Sequence, residues 1–326
     1  MKKKVVLIFG GNSYEHEVSI KSARSIMKYI NKDKYEIKLI YIDKMGKWLL
    51  CNDISNLDNL IELSDFKILE WCDIAFPILH GNYGEDGKIQ GLFEMLGVKY
   101  VGCNLISSAI CMDKVFTKII LDKIGVANAK YIIVNKNDYD LNNTLKNIKE
   151  NIGYPCFIKP ANAGSSIGIS KIYHESELDK NIKEAFKYDK KILIEEYIQG
   201  REVEVGILGN DEIIVSNIGE IKPGDDFYSY DAKYNSKESI VKVPIVLKEE
   251  IENKIKEYAK KAYKFLECSG LSRIDFFIQN GTNKIYLNEI NTMPGFTNIS
   301  MYPVLFDNIG IKYDVLIDKL IDLAKK

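Results

Sequence analysis

The sequence predicts a mixed chain of the α+β / α/β class whose first domain is doubly wound around a parallel sheet. The length of 326 residues exceeds what one hydrophobic core usually organises, so two or three domains are expected. The continuous apolar run at 5–9 is typical of a parallel strand covered on both faces. A glycine turn, a helical pattern at 17–30 and a second strand at 35–42 follow it. This strand–helix–strand order opens a doubly wound domain.

Composition and charge narrow the classes of function. Hydrophobic residues make up 46% of the chain, which allows sizeable cores, and the net charge of -1 gives no support for binding to nucleic acid or an acidic membrane. No apolar run approaches the roughly 18–20 residues of a membrane span, and the run at 5–9 is too short for a signal peptide. The six cysteines are scattered without a C-x-x-C pair, which favours reduced thiols. We therefore expect a soluble, cytoplasmic protein with no nucleic-acid and no membrane partner.

The first domain carries a candidate ligand loop. A buried strand predicted at 73–79 runs into the sequence HGNYGEDG at 80–87. Loops at the carboxyl ends of parallel strands gather binding groups, and the three glycines let a ligand approach the backbone closely. His80 is the candidate residue, although an ordinary loop histidine is an open alternative. The double glycine after the first strand lacks the G-x-G-x-x-G spacing, so a dinucleotide site is disfavoured.

A loop rich in glycine and serine at 161–168 is the second candidate site. It follows a strand at 155–160 that contains Lys159. Backbone N–H groups and hydroxyls in such a loop suit phosphate, and Lys114, on a helix predicted at 107–124, adds positive charge. The P-loop pattern is missing, so a plain surface hairpin stays open.

The remaining elements continue the alternation of strands and helices. They are strands at 131–134, 190–198 and 202–208 and helices at 88–96, 138–151, 249–267 and 313–324. The strand at 190–198 ends in acidic and apolar residues that suit an adenine and its ribose. The polar, tyrosine-rich stretch at 225–239 is predicted to be a lid, because long structureless stretches in compact chains are usually functional.

A hairpin formed by strands at 272–279 and 285–291 carries the strongest chemical signal. The five-residue link between them predicts these cross-strand pairs: Gln279 with Ile285, Asp275 with Glu289, and Arg273 with Asn291. Two carboxylates at such a short distance repel each other. A hard cation such as Mg²⁺ or Mn²⁺ between them removes this repulsion. A solvated hairpin face with an Asp–Arg pair is the alternative.

Eight motifs in this order and spacing resemble those of the D-alanine–D-alanine ligases of the ATP-grasp superfamily. They read GGNSYEHEVS, HGNYGEDGKIQG, MDK, FIKPANAGSSIG, LIEEYIQGREVEV, FYSYDAKY, GLSRIDFF and LNEINTMPGFT. The resemblance covers essentially the whole chain and implies a three-domain ATP-grasp architecture, with boundaries expected at 1–102, 103–198 and 199–326. It implies ATP and D-alanine as small-molecule substrates, two Mg²⁺ ions that Mn²⁺ can replace, a homodimer, and a product used for peptidoglycan.

The resemblance also implies roles for individual residues. The metal ligands are Asp275, Glu289 and Asn291. The nucleotide-binding residues are Lys114, Lys159, Glu195, Glu196, Ile198, Glu202 and the lid lysine Lys233. The residues around the first D-alanine are Glu15, which holds the ammonium, Ser165, Tyr234 and, near the carboxylate, His80. The oxyanion-stabilising groups are Arg273 and the Gly295 backbone, and the pocket for the second D-alanine contains Ser300 and Met301.

The implied chemistry suits these residue types, with two departures from the family pattern. Transfer of the γ-phosphoryl group of ATP to a carboxylate gives an acyl phosphate, which needs metal and lysine charge and a lid that excludes water. Ile299 stands where many relatives have a polar residue. Asn162 stands where a basic residue is common.

Three alternatives stay open. The acceptor could be D-serine or D-lactate, although the intact FYSYDAKY lid and Met301 favour D-alanine. The chain could be another carboxylate–amine ligase of the superfamily, against which GGNSYEHEVS and FYSYDAKY argue. A non-catalytic nucleotide-binding regulatory protein would need a broken metal set, and all three predicted ligands are present.

Overall fold

Three sheets organise the part of the chain that the structure describes. The structure is a computed structural model that describes residues 1–58, 60–222 and 240–324. The predicted lid at 225–239 lies outside the described residues. In the described part of the chain, no helix is both long and apolar enough to cross a membrane.

The first sheet has five strands in the order β4-β3-β2-β1-β5. They are β1 (Lys3–Gly10), β2 (Tyr35–Ile42), β3 (Trp48–Cys51), β4 (Ile61–Glu62) and β5 (Ile74–Pro77). β1 pairs in parallel with β2 and with β5, which confirms the predicted strand–helix–strand unit. β3 and β4 extend the sheet in antiparallel fashion. The sequence does not predict these two short edge strands, because their local patterns are weak.

Helices cover both faces of the first sheet. They are α1 (His16–Tyr29), α2 (Lys67–Trp71) and α3 (Lys88–Leu96), together with the last helix, α10 (Tyr313–Leu323). Val5 and Leu7 of β1 pack into the core that includes α1 and α10. Val6 and Ile8 face α2 and α3 on the other side. Burial on both faces explains why β1 is a continuous apolar run.

The second sheet has four antiparallel strands in the order β6-β9-β7-β8. They are β6 (Tyr131–Asn135), β7 (Cys156–Pro160), β8 (Ser170–Ile172) and β9 (Lys191–Glu196). The helices α6 (Leu141–Asn151) and α7 (Leu178–Ala185) cover one face through Ile148 and Ile182. Alternation along β7 sends Phe157 and Lys159 to the other face.

The third sheet is antiparallel, in the order β12-β11-β10-β13-β14. Its strands are β10 (Gly200–Gly209), β11 (Ile213–Lys222), β12 (Ile240–Lys242), β13 (Leu271–Gln279) and β14 (Ile285–Asn291). The amphipathic helix α8 (Glu249–Phe265) packs on one face through Ile255 and Ala259, as its pattern predicts. The short helix α9 (Met301–Asp307) follows β14. The expected domain boundaries stay a prediction.

The helix predicted at 107–124 is interrupted. It consists of α4 (Leu105–Met112) and α5 (Lys114–Lys123), with Asp113 in extended conformation between them. Oδ1 of Asp113 accepts the backbone N–H groups of Val115 at 3.0 Å and Phe116 at 3.2 Å, which caps α5. Its Oδ2 pairs with Lys191 Nζ at 2.5 Å. The apolar periodicity continues through the break and hides it, while the capping interaction places Lys114 in the first turn of α5.

We predict that the cap and the ion pair of Asp113 can be separated by substitution. Asp113→Asn keeps an oxygen that can cap α5, whereas Asp113→Ala removes the cap and leaves two N–H groups without their acceptor. Loss of an N-cap costs about 0.5–2 kcal/mol. Urea unfolding should therefore give a lower midpoint for the alanine variant than for the asparagine variant. Equal midpoints would show that the cap contributes nothing.

Candidate active site

A cleft of ≈ 350 Å³ opens between the second and third sheets. Predicted residues that line it are Lys114, Lys159, Ser165, Glu195, Glu196, Ile198, Glu202 and Glu289. The rings of Phe157 and Phe277 add apolar surface from the two facing sheets. Apolar walls with a few acids and lysines suit an adenine nucleotide.

A second cavity of ≈ 360 Å³ adjoins this cleft. Predicted residues that line it are Glu15, His80, Arg273, Asn291, Gly295, Ser300 and Met301. Of the predicted residues, Lys114, Ser165 and Glu289 line both the cleft and the cavity. Ligands in the two spaces would therefore meet at these side chains. Of the other predicted residues, Asp275 lines neither space, and Lys233 and Tyr234 lie outside the described residues.

Lys114 connects α5 to the glycine-rich loop. Its backbone N–H donates to the carbonyl of Ala161 at 3.0 Å, and its Nζ donates to the carbonyl of Ala163 at 2.5 Å. In this loop Ser165 and Ser166 have φ of 50° and 60°, in the left-handed region that non-glycine residues rarely adopt. Such strain is typical of ligand-binding segments.

Asn162 anchors the same loop through two aspartates, Asp113 and Asp189. Its N–H and Nδ2 donate to Asp189 Oδ2 at 2.9 and 3.0 Å, and Nδ2 also donates to Asp113 Oδ2 at 3.2 Å. Asn162 lines neither the cleft nor the cavity. Asparagine in place of the basic residue common in the family therefore affects how the loop is anchored. It adds no charge to the nucleotide cleft or to the second cavity.

Glu195 is buried between two lysines. One carboxylate oxygen pairs with Lys118 Nζ and the other with Lys159 Nζ. Burial opposes ionisation, but the two ammonium groups lower the pKa of Glu195 to about 2. The resemblance implies a nucleotide contact for Glu195, and the geometry adds that its charge is balanced within the protein.

Lys118 is a residue of this site that the sequence does not single out. Its side chain is 3% exposed, and its Nζ also donates to Asn128 Oδ1 and the Ala129 carbonyl, both at 3.2 Å. Ala129 lines the nucleotide cleft. In the sequence, only its position four residues after Lys114 could have pointed to Lys118, because this spacing puts both lysines on one side of α5.

Glu15 lies at the start of α1 between two glycines from distant segments. A Cβ on Gly81 would lie 2.7 Å from Glu15 Oε2, and a Cβ on Gly164 would lie 3.3 Å from the same atom. Any side chain at Gly81 would therefore displace this carboxylate. Because both candidate loops have glycine here, there is room for the Glu15 carboxylate at the wall of the second cavity, which Ser165 also lines.

His80 and Glu85 bind the backbone of Met293. His80 Nδ1 lies 2.9 Å from the Met293 carbonyl, and its Nε2 lies 3.2 Å from Ser22 Oγ. Burial lowers the pKa of His80 and favours the neutral ring. Glu85 accepts the N–H groups of Met293 at 3.0 Å and Gly81 at 2.8 Å. Burial and the neighbouring Glu15 carboxylate raise the pKa of Glu85 to about 8.

The β13–β14 hairpin has the predicted central register. Asp275 pairs with Glu289, and Arg273 pairs with Asn291. The predicted pairing of Gln279 with Ile285 is wrong, because an irregularity after Asp275 leaves Asn288 without a cross-strand partner and Ile285 pairs with Ile278. A bulge inserts one residue, which local alternation does not reveal.

Arg273 pairs with two buried carboxylates on the third sheet. It donates to Asp275 Oδ1 and Oδ2 at 2.8 and 2.7 Å, and its Nε lies 2.8 Å from Glu204 Oε2. Both acids are 2% exposed. Although burial opposes it, Asp275 and Glu204 raise the pKa of Arg273 well above its ordinary value. A permanent, fixed positive charge thus faces the second cavity.

The predicted metal ligands form one group of oxygen-bearing side chains. Asp275 and Glu289 are direct cross-strand partners, and Asn291 Nδ2 donates to Asp275 Oδ2 at 3.0 Å. No group of three or more His, Cys, Asp or Glu among the described residues is arranged as a metal site. The predicted set has two carboxylates and an amide, and hard oxygen donors of this kind fit Mg²⁺ or Mn²⁺.

Part of the wall of the second cavity is apolar. Met301, the first residue of α9, is 6% exposed and packs with Ile221 and Leu305. Ser300 Oγ accepts the N–H of Thr297 at 3.0 Å, which closes the turn before α9. Ile299, the other departure from the family pattern, is 78% exposed and leaves an apolar group at the mouth of the cavity.

Comparisons with known proteins agree with the motifs. The family model described as "D-ala D-ala ligase N-terminus" matches residues 4–103, and the model "D-ala D-ala ligase C-terminus" matches residues 120–322. The D-alanine–D-alanine ligase of Acetivibrio thermocellus is 46% identical and that of Caldicellulosiruptor bescii 47% identical. The alignments cover 99% of this chain and 96% and 95% of those proteins.

Solved structures are similar along the whole chain. The VanG D-Ala:D-Ser ligase from Enterococcus faecalis superposes with a TM-score of 0.89 at 38% identity, covering 99% of both chains. The D-alanine–D-alanine ligase from Bacillus anthracis, complexed with ATP, gives a TM-score of 0.80 at 30% identity, covering 98% of this chain and 97% of the other.

We predict that Lys118→Met and Glu195→Gln are both destabilising and that their losses are less than additive in the double variant. Removing one partner of a buried ion pair costs up to about 3–5 kcal/mol, and here Lys159 keeps part of the compensation for the Glu195 charge. Urea unfolding of both single variants and the double variant measures the coupling. Lys149→Met is the matched control, since its pair with Glu175 is exposed and contributes about 0–1 kcal/mol. Additive losses for Lys118 and Glu195 would contradict the ion-pair explanation.

Proposed function

Because the chain belongs to the D-alanine–D-alanine ligase family, we propose that it joins two D-alanines to D-alanyl-D-alanine at the expense of ATP, through a D-alanyl phosphate. The observation that carries the proposal is that the nucleotide cleft and the second cavity meet at Lys114, Ser165 and Glu289. Phosphoryl transfer to a carboxylate requires the two substrates to be in contact and in line, which such a junction allows.

The first step forms the acyl phosphate. A carboxylate oxygen of the first D-alanine attacks the γ-phosphorus of ATP, and the bond to the β–γ bridging oxygen breaks to release ADP. Lys114, Lys159 and the lid lysine Lys233 offset the charge on the phosphate oxygens. The predicted nucleotide contacts are Glu195, Glu196, Ile198 and Glu202. Glu15 pairs with the ammonium of the first D-alanine, supported by Ser165 and Tyr234, while His80 lies near its carboxylate.

Asp275, Glu289 and Asn291 are proposed to hold two Mg²⁺ ions, which Mn²⁺ can replace. When bound, the ions neutralise charge on the phosphate oxygens. The hard oxygen donors of the β13–β14 hairpin support this assignment.

The second step forms the peptide bond. The amine of the second D-alanine attacks the acyl carbon, a tetrahedral oxyanion forms, and its collapse releases inorganic phosphate. Arg273 and the Gly295 N–H are the proposed donors to the oxyanion, and both line the second cavity. Ser300 and Met301 form the pocket for the acceptor.

A D-alanine–D-serine ligase is the second candidate function, because the VanG D-Ala:D-Ser ligase has a similar structure at 38% identity. The buried apolar side chain of Met301 favours D-alanine. Family membership also supports three further parts of the proposal. The product serves peptidoglycan precursor synthesis, the enzyme acts in the cytoplasm, and it is a homodimer.

The test of this function is a competition between acceptors. The enzyme is incubated with ATP, magnesium, D-alanine and equal amounts of D-serine and D-lactate, and the products are separated by mass. We expect mainly D-alanyl-D-alanine. D-Alanyl-D-serine should be a minor but detectable product. An apolar pocket disfavours an added hydroxyl, but only by roughly a hundredfold at most.

Two variants make the acceptor test sharper. Met301→Arg should raise the share of D-alanyl-D-serine, and Met301→Leu, which keeps an apolar side chain of similar size, should not. A wild-type product that is mainly D-alanyl-D-serine or D-alanyl-D-lactate would overturn the D-alanine assignment. No ADP and no product would favour a nucleotide-binding regulatory protein.

A further inference from the structure

We propose that Glu85 is a positioning residue for peptide-bond formation, because it helps to clamp the backbone segment that carries Gly295. The inference rests on the proposed function and deepens it. None of the roles implied by the family motifs includes Glu85, and its carboxylate makes its contacts with backbone N–H groups.

The clamp holds one residue from two sides. Met293 lies two residues before Gly295, and its N–H donates to Glu85 Oε1 at 3.0 Å. The carbonyl of Met293 accepts a hydrogen bond from His80 Nδ1 at 2.9 Å. His80 and Glu85 belong to one loop after β5, more than 200 residues away along the chain. A loop of the first sheet thus fixes both backbone groups of one residue that follows β14.

Both parts of the clamp are themselves anchored. The second oxygen of Glu85 accepts the N–H of Gly81 at 2.8 Å, which closes the loop on itself. His80 Nε2 lies 3.2 Å from Ser22 Oγ in α1. The Glu85 carboxylate and the His80 imidazole are therefore each held by a contact other than Met293. The loop can act as a rigid support for Met293.

The segment is also held on the other side of Gly295. The N–H of Phe296 donates to Ser22 Oγ at 3.3 Å, and the Phe296 carbonyl accepts from the Tyr313 hydroxyl at 2.5 Å. Gly295 lies between two residues, Met293 and Phe296, whose backbones bind the loop after β5, α1 and α10. The direction of its N–H follows from these anchors rather than from its own side chain.

The position of this N–H matters only in one half of the reaction. Oxyanion donors act when the amine attacks the acyl phosphate, and a misplacement of about 1 Å can cost about a hundredfold in rate. Glu85 lines the second cavity but not the nucleotide cleft. Loosening the clamp should therefore slow the second step while nucleotide binding and acyl phosphate formation continue.

A slowed second step has a distinctive consequence. Acyl phosphates that wait for the amine react with water, which gives D-alanine and phosphate without dipeptide. The ratio of ADP to dipeptide then rises above one. A loss of folded enzyme would lower both products equally and leave the ratio unchanged, so the ratio separates positioning from stability.

The experiment compares ADP and dipeptide formed by the wild type and Glu85→Gln with ATP, magnesium and D-alanine. Glutamine keeps the size of the side chain, but its amide nitrogen cannot accept an N–H. We expect dipeptide formation to fall by about tenfold or more, the ADP-to-dipeptide ratio to exceed one clearly, and the KM for ATP to stay within about twofold. Glu94→Gln is the matched control, because the exposed Glu94 also accepts a backbone N–H, from Leu105 at 3.2 Å.

A second variant covers the case in which Glu85→Gln does not fold. Ser22→Ala removes the acceptor of the Phe296 N–H and should raise the same ratio. A ratio of one in both variants, or a change confined to the KM for D-alanine, would overturn the positioning role. Failure of the proposed function is distinguishable, since the wild type itself would then form no dipeptide.

Discussion

The site depends on keeping several carboxylates ionised in a dry interior, and Glu195, Glu204 and Asp275 each have a cationic partner. Arg273 lies between Asp275 and Glu204 on the third sheet. Glu195, on the second sheet, lies between two lysines. A buried charge without a partner would cost several kcal/mol, so these pairs are a condition for the fold as well as for binding. The phosphates and the amino acids therefore meet a pattern of charge that is already arranged.

The three sheets contribute differently to this pattern. The second and third sheets face each other and form the nucleotide cleft, while loops from the first sheet form one wall of the second cavity. The first sheet also supports the segment around Gly295, because Met293 and Phe296 form hydrogen bonds with the loop after β5 and with α1. The C-terminal helix α10 packs on the first sheet and binds the same segment through Tyr313. The first and the last helix thus both bind the backbone that follows β14.

The sequence predicts those features that rest on local patterns. The strand–helix–strand opening and the pairing of Asp275 with Glu289 follow from alternation and a short link, and both are confirmed. The bulge at Asn288 and the break at Asp113 are missed, because apolar periodicity continues on either side of them. Glu85 and Lys118 are missed for a different reason, since their partners are distant in sequence and no periodicity marks such contacts. The roles implied by the family motifs stay predictions, and Lys233 and Tyr234 lie outside the described residues.

The central claim is that a phosphoryl group passes from ATP to a D-alanine carboxylate where the nucleotide cleft meets the second cavity. The most direct measurement uses D-alanine labelled with ¹⁸O in its carboxylate. When the acyl phosphate reacts with the second D-alanine, one carboxylate oxygen leaves with the phosphate. The account predicts one ¹⁸O atom in each inorganic phosphate, measured by mass spectrometry. Phosphate without the label, formed together with the dipeptide, would contradict it.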